Sequence, residues 1–185
     1  MVSELRRRVW LLAVLLATSA WTKAGDSHLW LDVPFVRQTA DGCGAASIAM
    51  VMQYWARQTG TSTGADAEAA EIQRALYSRR AHGIYASAMQ AYLQEHGFQS
   101  FAFSGRWDDL QHHLAKGRPL IVGVKSSTDA LHYLVVTGVD DEHRMLIVND
   151  SARRKLLKYD RAGFEREWSA TSNWTLLAVP QRSAH

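Results

Sequence analysis

The hydrophobic pattern of this chain changes once along its length, and the change limits the folds open to it. Before residue 98, apolar side chains recur at helical spacing in three segments: Cys43 to Arg57, Asp66 to Ser78, and Ser87 to His96. The first segment is apolar nearly all round, which is typical of a helix buried at the centre of a domain. After residue 98, strand-like runs dominate. Helices followed by antiparallel strands predict an α+β fold rather than an alternating α/β fold.

The second half of the chain predicts a sheet with short helical interruptions. The strand-like runs are Phe98 to Phe103, Leu120 to Lys125, His132 to Asp140, Arg144 to Asp150, Lys155 to Tyr159 and Thr175 to Val179. Asp108 to Lys116 predicts a short helix, and Asp160 to Trp168 predicts one or two helical turns. The polar residues 140–143 predict a hairpin turn, so the strands on either side of it should pair antiparallel.

The charge of the chain gives no reason to expect a nucleic acid partner. The 185 residues carry 21 basic and 18 acidic side chains, but four of the basic ones lie in the first 24 residues. Beyond those residues the two counts are equal, so no basic surface is indicated. A single cysteine, Cys43, excludes an intramolecular disulfide and a zinc site built from several thiolates.

The first 24 residues are typical of a secretory signal peptide. Three consecutive arginines, Arg6 to Arg8, precede an apolar run from Val9 to Ala17, and small residues follow. Cleavage after Ala20 and cleavage after Ala24 both fit the pattern. A retained membrane anchor is the alternative, but the run is shorter than the ~20 residues that a spanning helix needs. We therefore expect a protein exported after cleavage, periplasmic or secreted from a bacterium, whose residues 25–185 form one domain.

Cys43 is the first candidate for chemistry. It lies between Gly42 and Gly44 at the start of the buried helix, where a helix N-terminus favours a thiolate. Gln38, five residues upstream, could direct its side-chain amide at an oxyanion together with the backbone N–H of Cys43. The alternative is that Cys43 is only a small buried apolar residue. The cysteine alone does not decide between these interpretations.

His132 and Asp150 make the catalytic interpretation stronger. His132 begins the most apolar strand, which holds an imidazole rigidly at the edge of a core, where a general base is useful. The following hairpin returns Asp150 to within about two positions of His132, close enough to orient the ring. Asn149 is a second candidate for that role. Because successive side chains of a strand face opposite ways, only one of the two can face His132.

Three blocks of these residues resemble the double-glycine, or bacteriocin-leader, cysteine peptidases of the papain-like clan. VPFVRQTADGCGAASIAM, residues 33–50, is similar to the start of those peptidases. HYLVV, residues 132–136, resembles their histidine block, and VNDS, residues 148–151, resembles their aspartate block. The blocks come in the family's order, and the resemblance spans about residues 33–170. Ser151 departs from the family pattern, in which a proline usually follows the aspartate, and this leaves the turn less fixed.

The resemblance implies both a fold and a site. The fold is papain-like, with N-terminal helices carrying the cysteine packed on an antiparallel sheet carrying the histidine and aspartate. The implied roles are Cys43 as nucleophile, His132 as base, Asp150 as orienting carboxylate and Gln38 as oxyanion donor. The best-known members are fused to membrane spans and an ATPase. Neither is found in this sequence, so we expect a stand-alone exported member.

The function predicted from these features is that of a cysteine peptidase, a thiol hydrolase that processes an exported peptide or protein. The alternative is a catalytically weak or inactive module that escorts or binds an exported polypeptide. Acyl transfer to an amine uses the same thioester as hydrolysis and is not separated from it by the sequence. We also expect a peptide or protein substrate and association with an export system.

No cofactor or metal is expected. The adjacent histidines His112 and His113 cannot share one face of a helix, as a metal-binding pair three or four residues apart would. The acidic run 140–142 lacks the alternating oxygen ligands of a calcium loop. Metal-ligating residues elsewhere in the sequence are scattered.

Overall fold

Five α-helices and one 3₁₀ turn accompany the sheet in the computed structural model, which describes residues 28–125 and 130–181. The helices are α1 (Cys43–Thr59), α2 (Ala69–Leu76), α3 (Ala86–Glu95), α4 (Trp107–Ala115) and α5 (Arg161–Ser169), and the 3₁₀ turn spans Ala65–Ala67. Within the described residues, no helix is long and apolar enough to cross a membrane. The expected signal peptide and its cleavage positions lie outside the described residues.

The described strands form one antiparallel sheet. They are β1 (His28–Trp30), β2 (Phe98–Ser104), β3 (Leu120–Lys125), β4 (Leu131–Asp140), β5 (Met145–Asn149), β6 (Leu157–Asp160) and β7 (Trp174–Pro180). Their order is β2-β7-β3-β4-β5-β6, and the short β1 pairs with the end of β4. The expected α+β class is confirmed.

Both faces of the sheet are covered. On one face, Tyr133, Val135 and Ile121 join the core that α1 fills with Ile48 and Met50. On the other face, alternate residues of the same strands form a second core with residues of α4 and α5. Strands β3 and β4 therefore carry almost uninterrupted apolar sequence, as expected of strands buried on both sides.

The predicted elements are found with small changes of boundary. The predicted helix from Asp66 to Ser78 is divided, because Glu68 adopts an extended conformation between the 3₁₀ turn and α2. Helix α3 begins at Ala86, one residue before the predicted start at Ser87. The helical turns expected after Asp160 form the complete helix α5, which Asp160 caps by accepting a hydrogen bond from the Gly163 N–H at 2.8 Å.

Candidate active site

A tight turn presents Cys43 at the first position of α1. The Gly42 N–H donates to the Thr39 carbonyl at 3.1 Å, and the Gly42 carbonyl accepts the first helical bond, from Ala46, at 2.9 Å. A Cβ atom on Gly42 would lie 3.0 Å from the Thr39 carbonyl oxygen, so the turn has little room for any side chain there. The partly buried Cys43 thus sits where the N–H groups of a helix lack intrahelical partners.

His132 and Asp150 form a short hydrogen bond beside this helix. His132 Nε2 lies 2.8 Å from Asp150 Oδ1, and the carboxylate is almost completely buried. The same Oδ1 accepts a hydrogen bond from the Ala152 N–H at 3.0 Å. The carboxylate is therefore held in place while it orients the imidazole ring.

His132 also interacts with Cys43. Burial alone would lower the pKa of His132, but hydrogen bonds with Asp150 and Cys43 and the negative charge on both partners raise it to about 9. Because Asp150 engages Nε2, Nδ1 is the ring nitrogen left to face the sulfur. The structure thus brings together three of the four residues predicted from the sequence, with His132 in the middle.

The same electrostatics act on two neighbouring groups. Burial would raise the pKa of Asp150, but the hydrogen bond and charge of His132, with help from the Ala152 N–H, lower it. Burial, and next the negative charge at Cys43, raise the pKa of Tyr133, so its phenol stays protonated. The Tyr133 hydroxyl donates to the Ile84 carbonyl at 3.4 Å. An ionised pair is therefore favoured between His132 and Asp150, with a neutral phenol nearby.

A bulge in β4 lies close to the candidate site. The pairing of β4 with β5 shifts by one residue at Thr137, between the Val136 and Gly138 pairs. Beyond the shift, Val135 pairs with Asn149, the last residue of β5, and Asp150 follows directly after that strand.

Asn149 binds the backbone of the segment that leads to Cys43. Its Nδ2 donates to the carbonyls of Val33 and Pro34, both at 3.2 Å, and its Oδ1 accepts from the Leu156 N–H at 3.1 Å. The side chain is fully buried. Asn149 therefore fastens the chain segment that leads to Cys43 onto the end of β5, and the alternative orienting role is not supported by its contacts.

Gln38 is joined to the residue after Asp150. Its backbone N–H donates to the Ser151 carbonyl at 3.1 Å, and its side-chain Oε1 accepts from the Ser151 hydroxyl at 2.8 Å. With Oε1 occupied, Nε2 is the end of the carboxamide left for another acceptor. Sequence reasoning missed the contribution of Ser151, since it treated the residue only as the replacement of a proline.

The turn after Asp150 is held by hydrogen bonds in place of proline. The Asp150 N–H donates to the Arg154 carbonyl at 3.1 Å, and the Arg153 N–H donates to the Asp150 carbonyl at 3.0 Å. Arg37 reaches the Arg153 carbonyl from the opposite segment at 3.2 Å. These bonds supply restraint that the sequence comparison with the proline-containing pattern did not anticipate.

The arrangement suits nucleophilic catalysis by a thiol. A sulfur at a helix N-terminus, a histidine that can exchange a proton with it and a buried carboxylate behind the ring are the elements of such a site. Among the described residues, no group of three or more His, Cys, Asp or Glu side chains is placed to hold a metal ion.

Comparisons with known proteins agree with this fold. The chain matches the model of the Peptidase_C39 like family over residues 30–176. A search of the curated proteins found no match.

Three solved structures illustrate the fold. The peptidase domain of Streptococcus ComA, described as a bi-functional ABC transporter, is 22% identical with a TM-score of 0.62, over 80% of this chain and 98% of that chain. A C39-like peptidase from Bacillus anthracis is 16% identical with a TM-score of 0.64, over 85% of this chain and 99% of that chain. A double glycine motif protease from the AMS/PCAT transporter, in complex with the leader peptide, is 20% identical with a TM-score of 0.61, over 82% of this chain and 94% of that chain. At these identities the structures show the fold alone. With the family match over most of its length, the chain belongs to the Peptidase_C39 like family and is a cysteine peptidase.

Proposed function

We propose that this peptidase cleaves peptide bonds with Cys43 as nucleophile, His132 as general acid and base, Asp150 as orienting carboxylate and Gln38 as oxyanion donor. The observation that carries the proposal is the position of His132, which bonds to Asp150 at 2.8 Å and interacts with Cys43. A raised pKa keeps the imidazole protonated at neutral pH, which suits an imidazolium–thiolate pair.

The first half of the reaction forms a thioester. The Cys43 sulfur attacks the carbonyl carbon, a C–S bond forms, and the carbonyl electron pair moves onto oxygen. The Gln38 Nε2 and the Cys43 backbone N–H donate to this oxyanion. When it collapses, the C–N bond breaks and His132 gives its proton to the leaving amine.

The second half regenerates the enzyme. His132, now neutral, takes a proton from a water molecule as the water oxygen attacks the thioester carbon. The C–S bond breaks, the acid product leaves, and the sulfur is again paired with an imidazolium. Asp150 stays ionised throughout and keeps Nδ1 directed at the reacting atoms.

We propose further that the substrate is a peptide or protein met after export, and that the enzyme associates with an export system. The arginine-led apolar run in residues 1–24 supports the first part. The second part is supported by likeness to peptidase domains of transporters, one of them bound to a leader peptide. The wild-type protein should be incubated with a library of synthetic 14-residue peptides, and new termini identified by mass spectrometry.

The variants Cys43→Ala and His132→Ala test the assigned chemistry. Both should abolish cleavage and remain folded by circular dichroism; Cys43→Ala should keep a melting temperature close to that of the wild type, whereas His132→Ala should lose some stability because Asp150 is left buried without its partner. The matched control is His143→Ala, because His143 also bonds to a buried carboxylate, Asp140, at 2.9 Å, but at the other end of β4. Cleavage that persists in Cys43→Ala would refute Cys43 as the nucleophile, and no cleavage by the folded wild-type protein would leave the binding-module interpretation as the better one.

A further inference from the structure

We infer that Ser151 is a positioning residue that sets which end of the Gln38 carboxamide faces the oxyanion. The inference rests on the proposed role of Gln38 as oxyanion donor. Ser151 touches no reacting atom in the proposed reaction, because its hydroxyl donates a hydrogen bond to Gln38 Oε1 at 2.8 Å. It acts through the orientation of its partner.

Two contacts fix Gln38 against Ser151. The Gln38 N–H donates to the Ser151 carbonyl at 3.1 Å, and the Ser151 hydroxyl donates to the Gln38 side chain. Ser151 is completely buried, so water does not compete for its hydroxyl. The backbone contact sets where the Gln38 side chain begins, and the hydroxyl contact sets how its amide is turned.

The direction of the hydroxyl bond decides the orientation of the amide. The two ends of a carboxamide have nearly the same shape, but only the nitrogen donates hydrogen bonds. If the amide were reversed, Nε2 would donate to the Ser151 oxygen, and the buried hydroxyl hydrogen would have no acceptor among its described contacts. An unmade buried hydrogen bond is costly, so the reversed orientation is disfavoured. In the favoured one, Nε2 is free to face a developing oxyanion, which a reversed Oε1 would repel.

The turn that carries Ser151 is itself braced. Asn149 binds the carbonyls of Val33 and Pro34, and Arg37 binds the carbonyl of Arg153. Residues 33–37 are thus attached to residues 149 and 153, which flank Ser151 in the sequence. One turn therefore supplies Asp150, which orients His132, and Ser151, which orients Gln38.

The kinetic test is a double-mutant cycle on the peptide that the library assay finds to be cleaved fastest. Ser151→Ala should lower kcat by about 10-fold to 100-fold, with KM nearly unchanged, because only the oxyanion contact is weakened. In a Gln38→Ala background the same change should alter kcat less than about 2-fold, since no amide remains to be oriented. An equal loss in both backgrounds would overturn the inference.

A matched control and a second readout separate positioning from damage. Ser100→Ala removes another buried serine that exchanges hydrogen bonds with a glutamine, Gln90, and it should leave kcat unchanged. Alkylation of Cys43 by iodoacetamide forms no oxyanion, so its rate should be the same in Ser151→Ala and in the wild type. A fall in alkylation matching the fall in kcat would show that Ser151 acts through His132 and Asp150, and would overturn the inference.

A measurement that needs no activity keeps this inference distinct from the proposed function. In wild-type protein with ¹⁵N-labelled glutamine, the Gln38 Nε2 protons should give no strong nuclear Overhauser effect to the Ser151 β protons, because Oε1 lies between them. A strong effect would place the nitrogen beside Ser151 and overturn the inference, even in an active enzyme. Absence of Cys43-dependent cleavage together with the expected spectrum would instead reject only the proposed function.

Discussion

Replacing Asp150 by asparagine should move the alkaline limit of activity to lower pH. The pKa of His132 is about 9, against an ordinary value of 6.5, and Asp150 is one of the two partners that raise it. The difference corresponds to about 3 kcal/mol of preference for the protonated imidazole, shared between Asp150 and Cys43 and opposed by burial. Asparagine keeps the shape of the side chain and removes its charge.

The sign of the effect follows from the protonation state that catalysis needs. Because the pKa of His132 is raised, its imidazole stays protonated at pH values below about 9. The activity of the wild type should therefore fall as the pH rises through about 9. Loss of an opposite charge at this distance lowers a pKa by about 1–3 units. In Asp150→Asn we therefore expect the fall at least about one pH unit earlier, together with a lower maximum rate. The thermal stability contributed by protonated His132 should likewise be complete below pH 6.5 and lost by about pH 9, and the variant should show less of this decline.

The assay is kcat/KM against pH for the selected peptide, with iodoacetamide alkylation of Cys43 measured in parallel. Asp140→Asn is the matched control, because Asp140 is another buried carboxylate bonded to a histidine, His143, at 2.9 Å. Asp140 lies eight residues from His132 along β4, or about 26 Å. An unchanged alkaline limit in Asp150→Asn, or an equal change in Asp140→Asn, would refute the electrostatic account of the pair.

Three further predictions concern stability, metal dependence and processing. Trp168→Ala should lower the free energy of unfolding, measured with urea, by about 3–5 kcal/mol. The reason is that Trp168 is 1% exposed and its ring stacks on that of Phe164 with the centroids 5.1 Å apart. A loss below about 1 kcal/mol would contradict that packing. Treatment with EDTA should leave the cleavage rate unchanged, and a loss restored by added zinc would show a metal requirement. Protein secreted from the source cell type should begin at residue 21 or residue 25 on N-terminal sequencing; recovery from membranes with residues 1–17 intact would contradict cleavage.

Sequence periodicity could predict the elements because their apolar patterns are strong. Helix α1 is apolar nearly all round, and strands β3 and β4 are apolar runs. None of these three elements could be mistaken for surface structure. The predicted helix from Asp66 to Ser78 was too long, since an extended Glu68 is invisible to a periodic pattern. Local residues therefore indicated the type of each element better than its ends.

The candidate site was predictable in composition but not in detail. The sequence favoured Asp150 over Asn149 as the residue that orients His132, and the contacts of the folded chain separate the two, since Asp150 bonds to His132 and Asn149 to backbone carbonyls. The bulge at Thr137 had one sequence signal, the adjacent Gly138, because a glycine inside a strand often marks a bulge, but that signal does not give the size of the register shift. The hydroxyl of Ser151 was hidden, since its partner lies 113 residues away in the sequence.

The hydrogen bonds between residues 33–38 and 149–153 join parts of the candidate site that lie far apart in the sequence. Asn149 and Val33 are separated by 116 positions, so these contacts close a loop of most of the chain. Such distant contacts form only after much of the intervening sequence has been ordered. During synthesis, Cys43 leaves the ribosome long before the turn that carries Asp150 and Ser151. A growing or unfolded polypeptide therefore carries the thiol without the residues that surround it in the folded protein, and with the roles proposed above we expect no proteolysis before the chain has folded.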